Sequence, residues 1–217
     1  MSATLEPADY IITRKRKKYR FALFANNPLC FEGDEWPKNT IVDTLELGAG
    51  TGLFSVALAG ERPDQQIVAV DVKADRLQKG ASQAQGGRLT NVRFLRAHVE
   101  QLPELLPPQS IKAIWLTFPD PFTKKRAAKH RLTHPKFLAI YQQLLGPNGA
   151  LYLKTDSIFL FEWSLEQMVA AGWHIQELSF DLHESTLSDS YKLKTTYEQR
   201  YLREGLKINF VKATRLG

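Results

Sequence analysis

The sequence predicts a single doubly wound α/β domain, built on a mostly parallel sheet of seven strands and preceded by a basic arm. Two patterns carry this prediction. Seven apolar runs of strand length recur along the chain, and most are continuous rather than alternating, as in strands covered on both faces. Between them lie segments whose apolar residues repeat at helical spacing, so strand and helix alternate. Size agrees: 217 residues, 43% hydrophobic and 24% charged, suffice for one globule with a substantial core.

Residues 1–40 read as a polar, irregular arm. It holds the run Arg14-Lys15-Arg16-Lys17-Lys18 with Arg20, and the turn formers Asn26-Asn27-Pro28 and Gly33-Asp34. The regular domain spans 41–217. Its strands fall at 41–47, 66–72, 92–97, 111–118, 150–155, 173–180 and 208–214. Helical spacing marks 53–60, 73–85, 99–106, 134–145 and 159–172. The last two strands lack a clear long helix between them, since YEQRYLREG is short, which predicts an antiparallel return at the end of the sheet.

The net charge of +6 is mild, but its clustering is not: a second basic block runs from Lys124 to Arg131. Such clusters on a balanced chain point to a polyanionic partner, nucleic acid before membrane. A single cysteine, Cys30, excludes an internal disulfide and fits a reducing compartment. No apolar run approaches the roughly 18 residues of a membrane span, and the N-terminus lacks the apolar core of a signal peptide. The chain reads as cytoplasmic; monomer and homodimer fit it equally.

Ligands of open α/β sheets bind beyond the carboxyl ends of the strands, so the residues just past each strand matter most. After the first strand stands Glu46-Leu47-Gly48-Ala49-Gly50-Thr51-Gly52. Glycines at 48, 50 and 52 allow a sharp turn and a close ligand approach. Their spacing differs from the G-x-G-x-x-G of dinucleotide folds, where a helix N-terminus receives a pyrophosphate. Asp71 closes the second strand where an acid can accept from ribose hydroxyls. Glu46 repels a pyrophosphate and suits a cationic ligand. The fourth strand leads into Phe118-Pro119-Asp120-Pro121-Phe122, where the prolines hold Asp120 on an extended turn ahead of five Lys or Arg and His130.

Glu46 with the three glycines and Asp71 resembles the S-adenosylmethionine site of Rossmann-like, class I methyltransferases; an NAD-type site is disfavoured by the glycine spacing. Past the third strand this resemblance implies that His98 lies beside the adenine, unless it is an ordinary surface histidine. FPDPFTKKRAAKHRLTHPKFL, with LYLKTDSIFLFEWSL and Thr195-Thr196-Tyr197-Glu198, resembles the tRNA (guanine-N7)-methyltransferases over about residues 41–202. Against that family's pattern, Phe122 replaces Trp, Ala127 a histidine, His130 an arginine, Asp71 a Glu and His98 an Asp, and the last of these bears on adenine binding.

The resemblance implies adenosylmethionine contacts at Glu46, Gly48, Gly50, Gly52, Asp71, His98 and Asp120, with no metal. It also implies tRNA contacts at Lys124, Asp156, Thr195 and Glu198, with Asp120 at the reacting centre. The chemistry is consistent. Guanine N7 has a lone pair and no proton, so no general base is needed, and a fixed carboxylate stabilises the cationic purine and accepts from the N1–H and N2–H2 edge. Capping is the simpler role for Asp156 and Glu198. Competing accounts are a methyltransferase acting on another RNA, a protein or a small molecule, and a non-catalytic RNA-binding relative.

Overall fold

The computed structural model describes residues 15–194 and 196–215. Its eight strands are β1 (Cys30–Glu32), β2 (Thr44–Leu47), β3 (Ile67–Asp71), β4 (Val92–Arg96), β5 (Ile111–Thr117), β6 (Leu145–Thr155), β7 (Trp173–Ser179) and β8 (Asn209–Arg215). They form one sheet in the order β1-β4-β3-β2-β5-β6-β8-β7. The first six strands of this order are parallel. β8 enters antiparallel between β6 and β7, so the expected return is present but inserted rather than added at the edge.

Period-two alternation sorts side chains to the two faces. Leu45, Leu47, Val68, Val70, Leu95, Ile114 and Leu116 enter one core, which is covered by Leu138 and Tyr141 of α5 (Pro135–Leu144) and Phe161 and Met168 of α6 (Ile158–Ala170). Ile67, Ala69, Phe94 and Trp115 enter the other. There they meet Phe24 of α1 (Lys15–Ala25), Phe54 and Leu58 of α2 (Leu53–Glu61) and Leu77 and Ala81 of α3 (Ala74–Gly86). Two-sided burial is why these strands read as continuous apolar runs.

The segment read as irregular, 1–40, differs from that expectation. Among its described residues are α1, packed on α3, and β1, which pairs with β4 in the register Cys30↔Phe94. The sheet therefore has eight strands, not seven. A three-residue edge strand carries too little periodicity to register in sequence; its pairing with β4 creates it. The expected 99–106 helix is a 3-10 turn followed by the short α4 (Leu102–Leu105). α7 (Thr196–Arg203) occupies the short link before β8. No described helix is long and apolar enough to cross a membrane.

From β2 the chain builds β3 and β4 on one side and β5 and β6 on the other. The crevice between the carboxyl ends of β2 and β5 is therefore the switch point at which such sheets bind ligands.

Candidate active site

A cavity of about 930 Å³ opens at this switch point, with Glu46, Gly48, Gly50, Asp71, His98 and Asp120 in its wall. The loop after β2 keeps all three glycines in the left-handed region, at φ 67°, 57° and 67°. Gly50 faces open space. Gly52 does not line the cavity as expected: a Cβ there would lie 2.6 Å from Phe94 Cε1, so this glycine seats the loop on the core. Gly80 of α3 serves the same end, since a Cβ would collide with the carbonyl of Thr51.

Asp71 braces the loop as well as lining the cavity. Its Oδ2 accepts from the Gly50 N–H at 2.9 Å and its Oδ1 from the Lys73 N–H at 2.8 Å. A carboxylate has further lone pairs, so both oxygens remain able to accept from a ligand. Glu46, only 2% exposed, is fastened by three donors. Its Oε2 accepts from the Ser55 N–H (3.1 Å) and hydroxyl (2.7 Å), and its Oε1 from the Thr117 hydroxyl (2.6 Å). Burial pushes the Glu46 carboxyl up to about 7, against these hydrogen bonds, which pull it down. His98 is exposed at the cavity wall, its N–H donating to Gln101 Oε1 at 2.7 Å.

Asp120 is exposed on the cavity wall, between two strained aromatic residues: Phe118 at φ 49° and Phe122 at φ 41°. Positive φ is a steric outlier for bulky residues. It persists here because the flanking backbone is tied down. The Phe118 N–H donates to the Lys154 carbonyl at 2.8 Å, and Arg131 donates to the carbonyls of Pro121 and Phe122 at 3.1 and 3.0 Å.

The basic block divides in two. Lys124, Lys125, Arg126 and Lys129 are exposed around the 3-10 turn Lys125–His130, as a polyanion surface requires. Arg131, grouped with them by sequence, is only 3% exposed and turned inward. Phe122 and His130 line the cavity with ring centroids 5.7 Å apart, and Arg20 of α1 and Tyr201 of α7 complete its rim.

Of the expected substrate residues, Lys124 and Asp156 lie off the cavity wall. Lys124 is exposed at the head of the 3-10 turn, and Asp156 sits half-buried just past β6, whose Lys154 pairs in register with Thr117 of β5. Thr195 lies outside the described residues. Glu198 is not presented to the cavity. Its side chain is fully buried, with Lys154 Nζ 2.6 Å from Oε1 and 2.8 Å from Oε2, and His183 Nε2 2.8 Å from Oε1. This ion pair holds α7 against β6 and brings Tyr201 to the cavity, within 5.5 Å of the Phe118 ring, centroid to centroid.

Sequence reasoning passed over Ser55, Thr117, Gly80, Lys154, His183 and the inward role of Arg131. Only Lys154 left a local signal, a lone charge at an inward position of the otherwise apolar LYLKT.

Residues 40–211 match a family model described as "Putative methyltransferase". A tRNA (guanine-N(7)-)-methyltransferase of Cytophaga hutchinsonii is 37% identical over 181 residues, covering 82% of each chain. One from Brevibacillus brevis is 35% identical over 197 residues, covering 89% of this chain and 91% of its own. Among solved structures, the 16S rRNA methyltransferase KamB shares the fold at TM-score 0.60 and 17% identity, covering 81% of this chain and 88% of its own. The identities and the coverage lead to one conclusion: the chain belongs to the tRNA (guanine-N(7)-)-methyltransferase family.

Proposed function

We propose that this protein transfers the methyl group of S-adenosylmethionine to N7 of a guanine in the variable loop of tRNA, position 46 in tRNA numbering. The observation that carries the reading is the convergence of Glu46, Asp71 and Asp120 on one cavity beside the exposed cations of the 124–129 loop. The residues fit adenosylmethionine: Gly50 leaves open space for close approach, and the two strand-end acids favour a cation and a ribose. When bound, it supplies an electrophilic methyl group on a positively charged sulfur.

Glu46 and Asp71 hold the donor, with Gly48, Gly50 and His98 around them, while Gly52 shapes the loop. Asp120 faces the reacting centre and stabilises positive charge as it develops on the purine. Asp156 accepts from the guanine edge, and Lys124 with its neighbours holds phosphates, which positions the RNA without specifying sequence. Glu198 supports the pocket through Lys154 and Tyr201. Arg20 and the neighbouring N-terminal cations supply further phosphate contacts to the methyltransferase, which acts in the cytoplasm.

The decisive experiment identifies the product. Purified protein, tRNA and adenosylmethionine are incubated, then treated with borohydride and aniline, which cleave at N7-methylguanine. Cleavage is expected at one variable-loop guanine and is absent when that guanine is changed to adenine. A methyl group found on N1, N2 or a ribose overturns the reading.

The raised Glu46 gives a second expectation. A protonated Glu46 does not attract the sulfonium and an ionised one does. Adenosylmethionine affinity should therefore rise about tenfold between about pH 6 and pH 8, as expected for one linked proton with a pKa near 7. The sign for the free protein is the reverse: a carboxyl raised from 4.5 to about 7 contributes stability below 4.5 that is lost as pH rises through 7. Calorimetry across this range checks it; equal slopes for the wild type and Glu46→Gln exclude Glu46 as the titrating group.

A further inference from the structure

We propose that Arg131 is a positioning residue for Asp120, a buried strut that fixes the catalytic turn, and is not one of the phosphate-binding cations. Its guanidinium is in the wrong place for RNA, being 3% exposed beneath the loop. It is in the right place to hold the turn. The Nε–H donates to the Pro121 carbonyl at 3.1 Å and an Nη2–H to the Phe122 carbonyl at 3.0 Å, the two carbonyls that follow Asp120. The group lies against α6: its carbon is 4.4 Å from the Trp163 ring centroid and 4.8 Å from that of Phe159.

The backbone of Arg131 is fixed as well. Its N–H donates to the Ala128 carbonyl at 3.0 Å and its carbonyl accepts from the His134 N–H at 2.9 Å, where α5 begins. The side chain thus ties the start of the 121–131 loop back to its end, and the rings anchor both to α6. This fastening matters because Phe118 and Phe122 hold positive φ on either side of Asp120, a conformation that persists only when the surroundings impose it. Arginine suits the post and lysine does not: a planar fork donates in its plane while stacking on its faces.

The proposal rests on Asp120 acting at the reacting centre, and the test separates the two claims. Arg131→Met, Asp120→Asn and the double variant are compared in single turnover with saturating tRNA and adenosylmethionine. Arg131→Met is expected to slow the reaction by on the order of 10²-fold, the scale of a small misplacement of a reacting group. In the Asp120→Asn background the same change is expected to add less than about threefold, because the two act as one unit. Two readouts are independent of activity. Amide exchange at Ala127 and His134, whose N–H groups donate to the Lys124 and Arg131 carbonyls, should accelerate in Arg131→Met, and the slope of log tRNA affinity against log salt should stay unchanged, whereas losing one phosphate contact flattens it by ~0.9 or less.

A flattened salt slope with a normal rate makes Arg131 a phosphate contact and overturns the proposal. Full additivity with Asp120→Asn overturns it too. Normal turnover by Asp120→Asn alone removes the reading of Asp120 and the strut with it. A slow Asp120→Asn beside an unimpaired Arg131→Met removes the strut only. Should Arg131→Met fail to fold, Arg131→Lys keeps the charge without the fork and is expected to show the same pattern at reduced size; a wild-type rate and unaltered exchange in that variant overturn the proposal.

Discussion

Asp120→Asn is expected to lower the single-turnover rate by on the order of 10²-fold or more, while affinities for adenosylmethionine and tRNA stay within about threefold. The substitution keeps the size and most of the hydrogen-bonding capacity of the side chain and removes its charge. Charge is what the reaction requires at this point, because N7 carries no proton to abstract and the purine becomes cationic as the methyl group arrives. The turn is built to hold the carboxylate in one place. Phe118 is tied to the Lys154 carbonyl, Pro121 and Phe122 are tied to Arg131, and both flanking aromatics sit at positive φ. Preorganised charge costs no reorganisation during reaction, which is why removing it affects the rate more than binding. Quench-flow rates with both substrates saturating decide the matter: near-normal turnover makes Asp120 a turn residue and no more.

The second large effect concerns stability. Glu198→Ala is expected to destabilise the fold by about 3–5 kcal/mol, because it strands the Lys154 ammonium without its carboxylate. Both side chains are fully buried. Lys154 also donates to the Leu193 carbonyl at 3.0 Å, which leaves part of its charge uncompensated once Glu198 is gone. Burial lowers the affinity of Lys154 for its proton, and Glu198 opposes that shift. For a chain of this size such a loss corresponds to roughly 10 °C in melting temperature. Lys154→Met combined with Glu198→Leu should recover most of it, since apolar residues of similar volume often replace a buried pair at little cost. Thermal unfolding of the wild type and the two variants distinguishes this from a guanine contact at Glu198. An unchanged melting temperature for Glu198→Ala, with only weakened tRNA binding, returns Glu198 to the substrate.

Glu198 shows how far a motif extends. Its place in Thr195-Thr196-Tyr197-Glu198 is legible as part of a family pattern, and the acid itself suggests an acceptor for guanine. Whether it meets solvent depends on Lys154, 44 residues earlier on another element, and on His183. Arg131 repeats the lesson with opposite charge. Within KKRAAKHR it is one cation among several. Two carbonyls on one side and the rings of Phe159 and Trp163 on the other turn it inward, and nothing within the loop's own residues indicates that α6 lies beneath them.

By itself the sequence determined what is local. Glycine spacing, a strand-terminal Asp71, an acid at 46 and Asp120 between prolines are short-range features whose backbone consequences follow from sterics and period, so the alternating fold, the place of the cavity and the acids at 46, 71 and 120 in its wall were legible. Tertiary structure decided what depends on partners distant in the chain. It made β1 a strand by pairing it with β4, seated Gly52 on Phe94, fastened Glu46 with Ser55 and Thr117, buried Glu198 on Lys154 and turned Arg131 into the turn it holds. The physical reason is common to all five. Burial and hydrogen-bond satisfaction are properties of a three-dimensional neighbourhood, and a residue's chemistry, charged or neutral, exposed or structural, is set there and not by the residues beside it in the chain.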